Sequence, residues 1–227
     1  MYLRFKISNK LLTIFTVLTI IIIIALIAKP AYDRYVIYKT KQTYDILRNS
    51  YAETVKTANY KWTDKEMNTD VLARSFIKNL PVKRDCAYST DDSCFPIKIN
   101  FQRPLENLHI SNVLIGDYYK VELDNNVGIA FKILSPTCDQ VRDRCGTVFV
   151  DINGSKHGPN KFGEDLYDFG IYKTELKTYL MEANHMHRCV NGTGQGCAAY
   201  MFKYKNRNYK KYDKILTREN NLRAKNK

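Results

Sequence analysis

The sequence has few of the residues and none of the short motifs on which most enzymes depend. Only four of its 227 residues are histidine, and none of them lies near a nucleophile motif such as Gly-x-Ser-x-Gly. The sequence also has no glycine-rich phosphate-binding loop. The four histidines are His109, His157, His185 and His187. We therefore expect no enzymatic activity and no bound cofactor.

The middle of the chain has almost no net charge, although the whole chain carries +13. Residues 1–30 hold four basic and no acidic side chains, and residues 203–227 hold ten basic and two acidic ones. Residues 31–202 are left with +1. The basic character therefore belongs to the two ends, which weakens the case for nucleic-acid binding by the body of the chain.

Charged residues are also absent from residues 11–28, an apolar run between Lys10 and Lys29. A helix of this length is about long enough to cross a hydrocarbon core of ~30 Å. A cleaved signal peptide fits less well, because its apolar part is usually about 7–15 residues long and residues 25–28 offer no suitable cleavage site. We predict a cytoplasmic segment over residues 1–10 and a single transmembrane helix over residues 11–29.

Two signals disagree on the orientation of this anchor. Basic residues are more numerous just after the run than before it, which would place the N-terminus outside. All six cysteines follow the run, however, and an even number of cysteines behind an anchor favours disulfides in an oxidising compartment. We follow the cysteines and expect an extracytoplasmic head over residues 61–202.

The six cysteines form three neighbouring couples along the chain. Fifteen pairings are formally open to six cysteines, and the sequence does not choose among them. We favour the local set, and no couple has the short gap of a structural zinc site. The couples are Cys86 with Cys94, Cys138 with Cys145, and Cys189 with Cys197.

Residues 30–60 continue the anchor as an amphipathic helix. Tyr32, Val36, Tyr44, Leu47, Tyr51 and Val55 recur mostly at steps of three and four residues, which predicts one apolar face. Pro30 should kink the helix, because proline removes one backbone hydrogen bond. A second helix should begin near residues 63–66 and end before Pro81.

After Pro81 the pattern changes to short alternating segments that predict β-strands. We expect strands at residues 119–123, 127–134 and 147–150, and a last strand at residues 166–172. The fold class is therefore α+β, with a long N-terminal transmembrane and amphipathic helix packed on a small antiparallel β-sheet.

Several motifs, taken in order, resemble those of type IV pilins and type II secretion pseudopilins. Residues 27–35 (IAKPAYDRY) resemble the Ile-Pro-Ala-Tyr-x-x-Tyr stretch of that family, and residues 44–52 look like its following amphipathic segment. Residues 150–154 and 158–165 are similar to the DxNG…GPNxxGxD stretch of a cysteine-bearing prepilin-like subfamily. In that subfamily, residues 189–197 would be the closing disulfide region.

The resemblance implies a pilin-like fold and a structural subunit of a type II secretion pseudopilus, a type IV pilus or a related envelope machine. It also implies the inner (cytoplasmic) membrane as location, and other pilin-like subunits as partners through the N-terminal helix. An anchored extracytoplasmic protein that binds DNA or surface polymer without entering a fibre is the alternative.

The processing site departs from the family pattern. The glycine before the cut falls on Ser8, the new N-terminus on Asn9, and the family's glutamate on Thr13. Since the peptidase needs a residue without a side chain at the cut, we expect residues 1–8 to stay attached. The resemblance implies N-terminal methylation, which would follow only if the chain were cleaved before Asn9.

Two groups of residues could hold a metal, and we favour a simpler role for both. Asp151, Asn153 and Ser155 are spaced like the start of an EF-hand loop, but the later ligand positions do not match. We predict a side-chain-stabilised turn with Gly154 at positive φ, and the resemblance leaves calcium as the alternative. His185, His187 and Cys189 alternate, but Cys189 is needed for a disulfide.

The basic tail, residues 203–227, alternates tyrosines with cations. Tyr204, Tyr209 and Tyr212 beside Lys205, Arg207, Lys210 and Lys211 could stack on single-stranded nucleic acid. We favour attraction of this tail to anionic lipid or surface polymer.

Overall fold

The computed structural model describes residues 9–57, 69–105, 110–135, 138, 144–178, 188–190 and 192–209. Helix α1 spans Asn9–Thr57 and is continuous through Pro30, so the anchor and the amphipathic segment form one helix. The kink at Pro30 stays a prediction. Helix α2 spans Thr69–Ile77, and the predicted start at residues 63–66 lies outside the described residues.

Helix α1 changes its surroundings at Val36. Val36, Leu47 and Tyr51 are completely buried against the head. The exception to the predicted apolar face is Tyr32, which is 51% exposed. Tyr32 precedes the part of α1 whose side chains enter the main core, so its exposure reflects the position of the core and not the periodicity of the sequence.

An antiparallel sheet of six strands forms the centre of the head. Its order is β1-β4-β5-β6-β7-β8, and strands β2 and β3 form a separate two-stranded ribbon. The strands are β1 Val82–Ala87, β2 Lys98–Leu105, β3 Ile110–Leu114, β4 Tyr119–Leu123, β5 Gly128–Ile133, β6 Arg144–Asp151, β7 Leu166–Tyr172 and β8 Leu176–Lys177. The prediction that residues 166–172 form the last strand is wrong, because β8 pairs with β7 at the sheet edge.

Both faces of this sheet are buried. On one face, Ile129 and Phe131 of β5 pack in a core with α1 and α2. On the other, Ala130 of β5 and Phe149 of β6 pack in a second core with Ile99 of the β2–β3 ribbon. Successive residues of a strand point to opposite faces, so a strand covered on both sides is apolar at nearly every position.

Lys120 of β4 is also completely buried. Its ammonium group donates hydrogen bonds to the backbone oxygens of Ser89, Gly116 and Tyr118, at 2.8, 3.2 and 3.1 Å. Burial lowers the pKa of Lys120, because removal from water penalises the charged form. The three carbonyls use all three donors of the ammonium group. Lys120 of β4 therefore connects the loop that contains Ser89 and the loop that contains Gly116 and Tyr118 to the sheet.

Three disulfides join the cysteines in the local pairing that we favoured. Cys189 and Cys197 are both completely buried, and Cys197 is the first residue of helix α3, Cys197–Tyr204. This bridge therefore holds helix α3 against the main core.

We expect the Cys189→Ala/Cys197→Ala double variant to lose about 2–3 kcal/mol of unfolding free energy, because the unfolded chain gains the entropy of an open loop. The loss of two buried sulfur atoms from the core should lower the unfolding free energy further. The matched control is Cys86→Ala/Cys94→Ala, which opens a disulfide of the same sequence separation, 8 residues. Cys94 is buried but Cys86 is only half-buried, so the control should lose less packing than the pair with both cysteines buried. Urea unfolding in detergent micelles measures both, and a larger loss in the control would contradict this account.

Candidate functional site

The first candidate site is the part of α1 that protrudes from the head. Its large apolar side chains between residues 12 and 27 are 49–69% exposed. The most apolar stretch has a mean hydropathy of 2.6, and none of it is buried by the head. This helix, near the N-terminus, is long and apolar enough to cross a membrane. An apolar surface of this size needs a cover of lipid or protein.

Two hydroxyl groups within this apolar part are satisfied inside the helix. Thr16 donates a hydrogen bond to the backbone oxygen of Leu12 at 2.9 Å, and Thr19 donates to that of Phe15 at 2.7 Å. Hydrocarbon offers no partners for polar groups, so a helix in lipid must satisfy them internally. The arrangement is therefore compatible with a lipid environment.

The predicted processing positions lie at the start of this helix. Asn9 is the first residue of α1 and Thr13 lies in its second turn. Ser8 lies outside the described residues. No structural observation bears on processing before Asn9, so the retention of residues 1–8 stays a prediction.

The second candidate site is the junction between α1 and the C-terminal end of the head. The guanidinium of Arg207 donates to Asp33 of α1 at 2.9 Å and to the backbone oxygen of Glu164 at 2.6 Å. It also lies over the ring of Tyr32, 5.6 Å from its centroid. Tyr209, only 7% exposed, packs against Tyr200 of α3. The sequence predicts that Arg207 and Tyr209 belong to the basic tail, whereas their side chains pack within the head.

The loop after β6 is the third candidate site, and it contains the predicted turn. The Asp151 carboxylate accepts a hydrogen bond from the backbone N–H of Asn153 at 3.2 Å. Gly154 has a φ of 84°, as the Asn-Gly pair predicts. The Asp165 carboxylate accepts the backbone N–H groups of Asn160 and Lys161, at 2.8 and 2.7 Å.

This loop holds two carboxylates away from water. Asp151 and Asp165 are both completely buried. Burial, with the neighbouring Asp165 charge as the next cause, raises the pKa of Asp151 to about 7. Burial also raises the pKa of Asp165 above its usual value, although hydrogen bonds from Lys161 and Asn160 oppose the change.

The fit of this loop to a cation is incomplete. One oxygen each of Asp151, Asn153 and Asn160 is buried without a hydrogen-bond partner, which would suit a hard cation. Both oxygens of Asp165, however, already accept backbone N–H groups. Among the described residues, no group of three His, Cys, Asp or Glu side chains could hold a metal ion. The side-chain-stabilised turn therefore stays the favoured interpretation, with calcium as the alternative.

The remaining predicted ligands are only partly described. Cys189 lies in a helical turn and forms its disulfide with Cys197, so it is not available to a metal. His185 and His187 lie outside the described residues. Among the candidate stacking tyrosines, Tyr204 is half-buried, whereas Tyr212 lies outside the described residues.

Comparisons of the chain with protein-family models, with curated proteins and with solved structures found no match. The resemblance to pilin-like proteins therefore rests on the sequence motifs alone.

Proposed function

We propose that the protein is a membrane-anchored, pilin-like structural subunit of a type II secretion pseudopilus, a type IV pilus or a related envelope machine. The observation that carries the proposal is the division of α1 into two parts. The large apolar side chains between residues 12 and 27 and the ring of Tyr32 are exposed, whereas Val36, Leu47 and Tyr51 are buried in the main core. One continuous helix thus joins an apolar rod to a folded head.

In this proposal the rod crosses the inner membrane once and the head lies on the extracytoplasmic side. The three disulfides support that side, because an oxidising compartment maintains them. The rod then packs laterally against the rods of similar subunits. Thr13 offers no charge at the position where the family has its glutamate. Association would therefore depend on van der Waals packing between helices and not on an ion pair.

Site-specific photocrosslinking in the native cells tests this proposal. A photoreactive residue at Ile21, which is 56% exposed on the rod, should give adducts with other copies of the chain or with similar anchored subunits. Leu114, which is 68% exposed on the head ribbon, is the matched control and should give far fewer adducts with such rods. Mass spectrometry identifies the partners. Adducts with lipid alone at Ile21 would contradict lateral assembly. They would indicate an anchored head that does not associate with other subunits.

A basic cleft favours a second candidate function, binding of DNA or anionic surface polymer by an anchored head. The cleft, of about 630 Å³, lies between α1 and the head, and its lining includes Lys39, Lys83, Arg84 and Lys156. Glu122, also in the lining, is already paired with Lys83 at 2.9 Å and with Arg84 at 2.7 Å. Lys39 and Lys156 would be the cations that meet an anionic ligand.

A further inference from the structure

The cleft between α1 and the head is built from distant parts of the chain. Helix α1 contributes Tyr32, Tyr35 and Lys39, the turn between β4 and β5 contributes residues 125–126, and the loop after β6 contributes residues 153–157. Its volume of about 630 Å³ lies within the range of about 300–1,000 Å³ that is usual for a pocket that holds one small ligand. The cleft therefore exists only where α1 packs on the head, and it fits a few units of a polymer.

The lining carries positive charge that the protein does not neutralise. It contains four cations, Lys39, Lys83, Arg84 and Lys156, and one carboxylate, Glu122. Glu122 pairs with both Lys83 and Arg84, whereas Lys39 and Lys156 form no ion pair within the described part of the chain. A nucleic-acid strand presents one phosphate per nucleotide, and its binding sites neutralise several of them. Two available cations fit a ligand with fewer and more widely spaced charges.

The neutral polar groups of the lining suit the oxygens and hydroxyl groups of a sugar. The side-chain oxygen of Asn125 accepts the backbone N–H two residues on at 3.2 Å, and that of Asn126 accepts Lys83 at 2.7 Å. Each amide therefore keeps its N–H donors for a ligand. Nδ1 of His157 lies 3.1 Å from the backbone oxygen of Asn153, which can only accept. Nδ1 is therefore the donor, and Nε2 of the neutral ring is an acceptor for a hydroxyl group, which a sugar offers and a phosphodiester does not.

Two tyrosine rings on α1 belong to the same lining. Tyr32 and Tyr35 are 51% and 53% exposed, and residues three apart lie on the same side of a helix. The ammonium group of Lys39 lies 5.8 Å from the centroid of the Tyr35 ring. The face of an aromatic ring packs against the C–H groups of a sugar. Lys39 stands beside that face, where it can meet a carboxylate on the same sugar unit.

We propose that this cleft binds carboxylated sugar units of an acidic polysaccharide. Lys39 and Lys156 bind the carboxylates, the two asparagine amides and His157 bind the hydroxyl groups, and Tyr35 packs on the sugar ring. The proposal rests on the second candidate function, in which the anchored head binds an anionic polymer, and it assigns that polymer to one chemical class. It does not depend on lateral assembly of the rod.

Isothermal titration calorimetry of the full chain in micelles of an uncharged detergent tests the proposal. The probes are a trimer of galacturonic acid, a neutral trimer of galactose and a single-stranded oligonucleotide. We expect the acidic trimer to bind at least about fivefold more tightly than the neutral trimer, because two lysines form exposed ion pairs with it. High salt should remove this difference.

The Lys39→Gln/Lys156→Gln variant should bind the acidic trimer about fivefold more weakly and the neutral trimer almost unchanged. Lys78→Gln/Lys173→Gln is the matched control, since it makes the same change in net charge. Lys78 and Lys173 are exposed and lie outside the lining of the cleft. This control should bind both trimers as the wild type does.

The Tyr35→Ala variant should weaken the binding of both trimers about threefold, because the ring packs on the sugar whatever its charge. Tyr38→Ala makes the same truncation on the same helix. Tyr38 is 66% exposed and lies outside the lining, so this variant should bind both trimers like the wild type.

Equal binding of the two trimers would overturn the proposal, and so would an equal loss of affinity in the two lysine variants. Binding of the oligonucleotide alone would also overturn it, and the second candidate function would then hold for DNA. If none of the three probes binds, the proposal and the second candidate function are both wrong. Lateral assembly is decided separately, by the crosslinks at Ile21.

Discussion

Replacement of Tyr51 by alanine should destabilise the head by about 3–5 kcal/mol, the usual loss for a large aromatic side chain in a core. Tyr51 is completely buried in the main core between α1 and the head. Its hydroxyl donates to the backbone oxygen of Tyr172 at 2.7 Å, and its ring meets Phe76 edge-on at 5.9 Å. The change removes both contacts and leaves a cavity between helix and sheet. Urea unfolding in micelles measures the loss.

The matched control for this variant is Tyr38→Ala on the same helix. Tyr38 is 66% exposed, so the same truncation should change the unfolding free energy by less than about 0.5 kcal/mol. Equal losses in the two variants would mean that α1 does not pack on the head with this face. The proposed division of α1 into rod and docked segment would then be wrong.

The second large effect is a loss of stability as the pH rises. The pKa of Asp151 is raised to about 7 in the folded protein, mainly by burial and then by Asp165, whereas in the unfolded chain it returns to about 3.9. Between these two values the folded state holds a proton that the unfolded state has lost. The unfolding free energy should therefore fall from about pH 4 to about pH 7, by about 4 kcal/mol in all.

The Asp151→Asn variant should remove most of this dependence and be more stable than the wild type at pH 7.5. Asparagine keeps the shape and can still accept the hydrogen bond from Asn153, but it carries no charge. Asp91→Asn is the control, since Asp91 is exposed and hydrogen bonds from Ser93 and Ser89 lower its pKa. The control should retain the fall in stability with pH.

The same titration distinguishes the turn from the calcium alternative. It is run once with a chelator and once with added calcium. The turn predicts identical curves. If calcium stabilises the wild type at neutral pH and removes the fall in stability, the buried oxygens of Asp151, Asn153 and Asn160 are ligands, and the preference for a turn without metal is wrong.

Local patterns in the sequence predicted the parts of the fold that depend on neighbouring residues. The apolar residues 11–28 and the spacing of Val36, Leu47 and Tyr51 predicted the long helix. The three cysteine couples predicted the local disulfides that the structure contains. The Asn153-Gly154 pair predicted a turn with positive φ. Each of these signals lies within a few residues of the feature that it determines.

The tertiary structure alone decided which polar groups are buried. Nothing near Lys120 in the sequence marks a lysine with three carbonyl partners, because one of those partners, Ser89, comes from a loop 31 residues away. The burial of Asp151 and Asp165 likewise depends on the strands and loops packed around them.

The sequence by itself determined that this chain has an apolar helical rod, a cystine-bearing α+β head and basic ends. Only the tertiary structure decided that the head covers α1 from Val36 onward. It also decided that β5 is buried on both faces and that Arg207 meets Asp33 at the base of the head. The physical reason is the range of the interactions. Helix periodicity, turn conformation and short disulfide loops are local properties of the chain, whereas desolvation and ion pairing depend on which distant segments fold against one another.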